Sequence, residues 1–306
     1  MGGEGGRAPP EAGAAKHQLL AIKAGGGHAA YQIARVHGFF EEDVCRHEGG
    51  LSAAVLEKLR CGILRELVCT GKAVGLAAHF DALLAALRAP SCQVRELTLN
   101  GCDWPEGRTL AELVDALPAR GLKVLDVAGM QVGGALPAAL FEKCAEAEYV
   151  ALAVSGLTGG IPASVGKCTK AKTLFLHGNQ LEGSIPEELG ECASIENLQL
   201  SKNMLTGSIP SSLGKCTKLN KLLLQQNKLS GCVPASLGKC TELTMLNLHE
   251  NQLEGAVPAS ELAKLTALAQ LALDENEGLT ITASGTQEIE RAAPNAKFFW
   301  PRVVDA

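Results

Sequence analysis

Hydrophobic and polar positions repeat along this chain with a period of 24 residues. The clearest copies each carry an asparagine at one phase, namely Asn179, Asn203, Asn227 and Asn251. Two leucines one residue apart precede each asparagine, and a leucine, a glycine and an Ile-Pro or Val-Pro pair follow it. The alternating leucines predict a short strand with one buried face, and the constant period predicts that the units stack as a solenoid.

Six consecutive strands are predicted in this part of the chain. Their inward residues are the pairs Val150/Leu152, Leu174/Leu176, Leu198/Leu200, Leu222/Leu224, Leu246/Leu248 and Leu271/Leu273. Stacked strands would form one parallel sheet whose open face lines a concave surface. The asparagine after each strand is expected to pair with main-chain groups, because a buried polar group without a partner costs free energy.

Upstream, the units are longer and contain helices. Leu97-Thr-Leu99 is followed by a stretch from Pro105 to Arg120 with leucines at helical spacing, and then by another strand pattern from Leu122 to Val127. Helices on the back of the sheet are expected here. Residues 17–62 match no unit, and we expect them to cover the open end of the core, as the ends of solenoids require.

The predicted fold is an α/β solenoid, a right-handed superhelix with a concave parallel β-sheet that is capped at both ends. We assign residues 1–16 to a disordered tail, 17–62 to an N-terminal helical cap and 63–306 to the solenoid. Within the solenoid, 63–124 hold the longer helix-containing units, 125–279 the 24-residue units and 280–306 a C-terminal cap.

The units from Leu174–Cys192 onward resemble the plant-specific class of leucine-rich repeats, whose signature is the L-x-G-x-[IL]-P turn. The longer units resemble the ribonuclease-inhibitor class. This resemblance implies a protein-recognition solenoid, which in some relatives is an extracellular sensor of peptides or steroids and in others an inhibitor of secreted polysaccharide hydrolases. The paired-cysteine cap, transmembrane segment and kinase motifs of the receptor relatives are not expected in this chain.

Composition bears on partners and location. The net charge of −5 argues against a nucleic-acid partner, and no apolar run is long enough to predict membrane insertion. Of the 11 cysteines, Cys144, Cys168, Cys192, Cys216 and Cys240 share one phase of the repeat and are expected to be reduced core residues. Together with the lack of a recognisable secretory signal at the start, this predicts a cytoplasmic location.

Catalytic and metal motifs are missing from the sequence. It has no Gly-x-Ser-x-Gly, Walker-type or His-Glu-x-x-His motif, so we predict a protein that is not an enzyme, with no cofactor and no metal. His37, Cys45 and His47 are the nearest approach to a zinc site, but their spacing is irregular.

The concave sheet is the predicted binding surface. Its central outward positions include Phe175 and Leu223, which are rimmed by amide and charged side chains, as protein-binding patches are. The candidate protein-binding residues are Tyr149, Phe175, His177, Gln199, Lys221, Leu223, Gln225, Met245, Asn247 and His249.

These positions predict a non-catalytic adaptor or recognition scaffold that binds a protein or peptide. Two alternatives stay open: a secreted or surface recognition protein similar to receptor ectodomains, and a structural subunit of a larger complex.

Overall fold

The structure is a computed structural model that describes residues 51–70 and 75–305, and residues 44–46 through their backbone. All of them lie in one compact unit, Phe40–Ala306. Strands and helices are numbered below in chain order.

A parallel sheet of eleven strands runs through the described residues. Each strand has three residues, and every strand except the first and the last pairs with the corresponding strands of the coils before and after it, as in Leu174↔Leu198↔Leu222. The strands are β1 Val44–Arg46, β2 Glu66–Val68, β3 Glu96–Thr98, β4 Val124–Asp126, β5 Tyr149–Ala151, β7 Thr173–Phe175, β9 Asn197–Gln199, β11 Lys221–Leu223, β13 Met245–Asn247, β15 Gln270–Ala272 and β17 Lys297–Phe299.

In strands β2 to β15 of this sheet, the middle residue points into the core. Leu174, Leu198, Leu222 and Leu246 are at most 1% exposed. A further leucine lies two residues after each of them and is also buried, so every coil adds one layer to a continuous apolar core. Replacing one such leucine by alanine typically lowers the free energy of unfolding by about 2–5 kcal/mol.

The back of the coils changes from α-helix to tighter turns along the chain. The helices are α1 Ala53–Arg60, α2 Leu76–Leu87, α3 Leu110–Ala116, α4 Ala138–Lys143, α5 Ala259–Leu262 and α6 Ala283–Ala292. Between α4 and α5 the same place is taken by 3-10 turns at Ala163–Lys167, Glu187–Glu191, Ser211–Lys215 and Ala235–Lys239. Successive turns pack so closely that a side chain on Gly214 would not fit, since its Cβ would lie 2.5 Å from the carbonyl oxygen of Ser236.

Two smaller parallel sheets lie in the segment between each concave strand and the following turn. One contains β6 Thr158–Gly159, β8 Gln180–Ser184 and β10 Met204–Thr206, and the other β12 Ser230–Gly231, β14 Gln252–Ala256, β16 Gly278–Thr282 and β18 Arg302–Val304. Gly207 begins the bend that follows β10, with φ +71°, a conformation that glycine adopts without strain.

The repeated asparagines join successive coils through main-chain hydrogen bonds. Asn203 Oδ1 accepts from Leu181 N at 3.0 Å, and its Nδ2 donates to the carbonyl oxygens of Leu176 and Leu200, each at 3.0 Å. Asn179, Asn227, Asn251 and Asn276 make the corresponding bonds. Where Ser155 replaces the asparagine, its hydroxyl donates to Val127 O at 3.0 Å.

The ends of the sheet differ in part from expectation. β1 lies within the segment that we predicted to be a helical cap, and it pairs in parallel with β2. At the other end, β17 pairs with β15, and the rings of Phe298 and Trp300 stack with centroids 5.0 Å apart. The segment predicted to be the C-terminal cap thus extends the sheet by one strand.

Candidate binding surface on the concave sheet

The sheet arranges the outward side chains in three columns. The first residues of the strands form one column and the third residues a central column, because successive strands pair without a shift, as in Lys221↔Met245 and Leu223↔Asn247. A flanking column follows two residues later. It contains His177, Ser201, Gln225, His249 and Asp274.

The ten predicted binding residues all lie in these columns on strands β5 to β13 or directly after them. Nine are half-buried, as expected for side chains on a concave surface, and Phe175 is almost completely buried. Their assignment to binding stays a prediction.

Phe175 differs from the expected exposed apolar residue, because it is only 4% exposed. The rings of Tyr149 and His177 each meet it edge to face, with centroids 5.8 Å away. Burial, together with the negative charge of Asp126, raises the pKa of the Tyr149 hydroxyl well above its ordinary value. The hydroxyl therefore stays neutral at physiological pH.

The centre of the surface is more open. Leu223 and Met245 are half-exposed apolar side chains on adjacent strands, and Lys221 and Gln225 lie beside Leu223 on its own strand and just after it. Two neighbouring amides are already engaged: Gln199 Nε2 donates to Asn197 Oδ1 at 3.1 Å, and Asn247 Oδ1 accepts from His249 N at 3.1 Å. Leu223 therefore presents an apolar surface that is surrounded by polar side chains.

Two acceptor oxygens in the flanking column are buried and accept no hydrogen bond from any residue between 51–70 and 75–305. They are Gln225 Oε1 and Asp274 Oδ1. A buried acceptor without a partner costs free energy, which a donor group brought to the column would recover.

Four side chains that the candidate set did not combine meet at one end of the flanking column. His249 Nδ1 lies 3.1 Å from Asp274 Oδ2, and His249 Nε2 lies 3.9 Å from Glu250 Oε2. Glu275 belongs to the same cluster. The sequence contained a signal for it, since Glu250 and Glu275 each directly precede one of the repeated asparagines.

The coils before Tyr149 also contribute to the concave face. Asp126 is 1% exposed, and its Oδ1 accepts from Ala128 N at 3.0 Å, while Asn100 Nδ2 lies 3.3 Å from Oδ2. Sequence reasoning missed this aspartate, because the units before Tyr149 lack the repeated asparagine that sets the phase.

With this geometry in place, comparison with known proteins identifies the repeat. A family model described as Leucine Rich Repeat matches residues 170–192 and 194–216. The chain contains leucine-rich repeats, and it folds as a leucine-rich-repeat solenoid. No curated protein sequence matches it.

Solved structures of plant receptors resemble the chain over most of its length. A plant peptide hormone receptor, RGFR1 in complex with RGF2, is 26% identical over 81% of this chain and 41% of its own, with a TM-score of 0.61. A TDR receptor is 25% identical over 84% and 41%, with a TM-score of 0.64. The Arabidopsis receptor kinase HAESA ectodomain, in complex with an IDA peptide hormone, is 32% identical over 64% and 32%, with a TM-score of 0.56. The leucine-rich-repeat chain thus spans about two fifths or less of the length of these structures.

These comparisons correct one prediction and confirm another. The predicted cytoplasmic location is wrong, because the similar structures are receptors of plants, and the HAESA structure is an ectodomain, the part of a receptor that lies outside the cell. The leucine-rich-repeat solenoid is confirmed. In the described part of the chain, no helix has the length and apolarity needed to cross a bilayer. The absence of catalysis and of a nucleic-acid partner stay predictions.

Proposed function

We propose that this leucine-rich-repeat protein is an extracellular recognition module that binds a peptide or a protein on its concave sheet. The observation that carries the proposal is its similarity, over 81% of the chain, to a receptor solved with RGF2. This replaces the cytoplasmic adaptor by the surface or secreted recognition protein that the sequence left as an alternative.

The chemistry of the concave face supports a peptide ligand. Leu223 and Met245 offer apolar contact, and Lys221 supplies a positive charge at the rim. Gln225 Oε1 and Asp274 Oδ1 accept no hydrogen bond from the described residues, and rotation of these half-buried side chains would present the oxygens to peptide N–H groups. A preformed sheet orders few of its own groups on binding, and this lowers the entropic cost of association.

The proposal is tested by selecting peptides from a random display library on the secreted, purified chain. Binding of the selected peptides is then measured by calorimetry to the wild type and to Leu223→Asp. We expect at least ten-fold weaker binding to the variant, equivalent to about 1.4 kcal/mol, because a carboxylate would be desolvated at the centre of the patch.

The matched control is Lys239→Glu, which alters an exposed residue on the 3-10 turn at the back of the coil that contains Leu223. It should bind the peptides as the wild type does, and both variants should retain the circular dichroism of the wild type. Peptides that bind Leu223→Asp as tightly as the wild type would contradict the concave site.

A further inference from the structure

We infer that His249, Glu250 and Glu275 form a binding site for Zn²⁺ at one end of the flanking column. One ring nitrogen and one carboxylate oxygen from each glutamate lie within 4.8 Å of one another. This departs from the sequence prediction of no metal, and it stands independently of the proposed peptide-binding function.

The fold brings the donors together from adjacent coils. Strands β13 and β15 pair with Asn247 opposite Ala272, and the alignment continues past the strands, because Glu250 N donates to Asp274 O at 3.2 Å. His249 and Glu250 are therefore placed beside Glu275 by main-chain hydrogen bonds rather than by flexible side chains.

Asp274 orients the imidazole for metal binding. Its Oδ2 lies 3.1 Å from His249 Nδ1, and the carboxylate there favours the neutral tautomer with the proton on Nδ1 and the lone pair on Nε2. Nε2 faces Glu250 Oε2 at 3.9 Å. A carboxylate behind the histidine is the arrangement that commonly fixes the tautomer of a zinc ligand and raises its basicity.

Glu250 is also held in place from the previous coil. Gln226 Nε2 donates to its Oε2 at 2.8 Å. The side chain of Glu275 is exposed. Donors bound at about 2.1 Å in a tetrahedron are roughly 3.4 Å apart, and the three donor atoms here lie within 4.8 Å of one another, so closing the site requires a shift of no more than about 1.4 Å, which a change in the side-chain torsions of Glu275 can supply.

Charge favours a cation here. Three carboxylates, those of Glu250, Asp274 and Glu275, meet around one imidazole, and their ion pairs among the described residues are with His249 alone. Like charges at this separation repel, and a divalent ion relieves the repulsion. An imidazole with two carboxylates suits Zn²⁺ better than Ca²⁺, which takes six to eight oxygen ligands. Three protein ligands leave a position open for water or for a donor group of a partner.

The test is calorimetric titration of the full chain with Zn²⁺ at pH 7.5 under reducing conditions. Because thiols and other histidines also bind zinc, the wild type is compared with His249→Ala and Glu275→Gln. His249→Ala is expected to bind one equivalent of Zn²⁺ fewer than the wild type, and Glu275→Gln is expected to bind that equivalent at least ten-fold more weakly. Asp274→Asn, which alters the positioning residue, should weaken binding by about 10–100-fold.

Two control variants remove the same kinds of side chain, a histidine and a glutamate, at positions outside the proposed zinc site. His177→Ala removes a histidine from the same column three coils away, and Glu254→Gln neutralises an exposed glutamate outside the cluster. Both should bind Zn²⁺ as the wild type does, and all variants should match it in circular dichroism. The proposed site would be overturned if His249→Ala bound Zn²⁺ with the stoichiometry and affinity of the wild type. It would also be overturned if zinc X-ray absorption spectra of the wild type showed that the bound Zn²⁺ has sulfur ligands only.

Discussion

The repeated asparagine is the residue on which each coil depends most clearly for its main-chain hydrogen bonds. Asn203 satisfies the N–H of Leu181 and donates to carbonyl groups of its own coil and of the coil before it. No backbone group could replace it, because the chain bends at this point and the strand ladder has ended. A single amide thus links two coils.

Replacing Asn203 by alanine should lower the free energy of unfolding by about 2–4 kcal/mol, because the buried Leu181 N–H loses its acceptor and two buried carbonyls each lose one of two amide donors. Asn197→Ala is the matched control, since its half-buried side chain accepts one hydrogen bond among the described residues, from Gln199 Nε2 on the same strand. Urea unfolding followed by circular dichroism measures both. Equal losses in the two variants would show that the amide bonds of Asn203 contribute little.

At the scale of the element, the helix or turn at the back of five successive coils ends in a cysteine. Cys144, Cys168, Cys192, Cys216 and Cys240 are buried free thiols, and the last four donate to a carbonyl oxygen of the preceding coil, as Cys192 does to Val165 at 3.3 Å. This confirms their expected place in the core. Burial raises the pKa of Cys144 to about 12.

That shift predicts a loss of stability in alkali. Below about pH 8.5, the ordinary pKa of a thiol, Cys144 is protonated in both states and its contribution is complete. Above it, the unfolded chain releases a proton that the folded chain keeps, so stability falls as the pH approaches 12. Between pH 8 and pH 10, one such thiol accounts for a loss of about 2 kcal/mol.

Cys144→Ala should therefore lose about 2 kcal/mol less than the wild type between pH 8 and pH 10, whatever its stability at pH 8. Urea unfolding at the two pH values, with a reductant present, measures the difference. Cys232→Ala, which removes an exposed thiol, is the control and should follow the wild type. A variant at Cys144 with the same pH dependence as the wild type would show that this thiol titrates alike in both states.

For the whole molecule, the period of the chain was enough to predict the solenoid and its central strands. The paired leucines and the asparagine recur at one phase, so each strand is supported by the others. β1 was not predicted, because Val44–Arg46 lies outside the repeated pattern. The two smaller parallel sheets were not predicted either. Their strand β8 Gln180–Ser184 shows no run of alternating apolar residues, and its pairing depends on the neighbouring coil.

On the candidate binding surface, too, the sequence predicted positions but not the contacts between side chains. Sequence reasoning placed Phe175 on the concave face but could not show that Tyr149, from the coil before, covers its ring. It likewise placed His249 in the flanking column without joining it to Asp274 and Glu275, which are about one repeat further along the chain. Contacts between coils depend on side-chain conformation, which the repeat period does not specify.

The coils are coupled through shared acceptors, and this predicts how substitutions combine across the molecule. Leu200 O accepts from Asn203 Nδ2 at 3.0 Å and from Asn227 Nδ2 at 3.1 Å. Removing either amide leaves this buried carbonyl one donor, and removing both leaves it none. The double variant Asn203→Ala/Asn227→Ala should therefore lose about 0.5–1 kcal/mol more than the sum of the single losses.

Asn179 and Asn251 share no acceptor and lie three coils apart, so the double variant Asn179→Ala/Asn251→Ala should be additive within about 0.5 kcal/mol. Both cycles are measured by urea unfolding under identical conditions. If adjacent and distant pairs deviate from additivity by the same amount, the coupling does not pass through the shared carbonyl. Excess loss confined to the adjacent pair would support a solenoid whose stability is built from nearest-neighbour contacts.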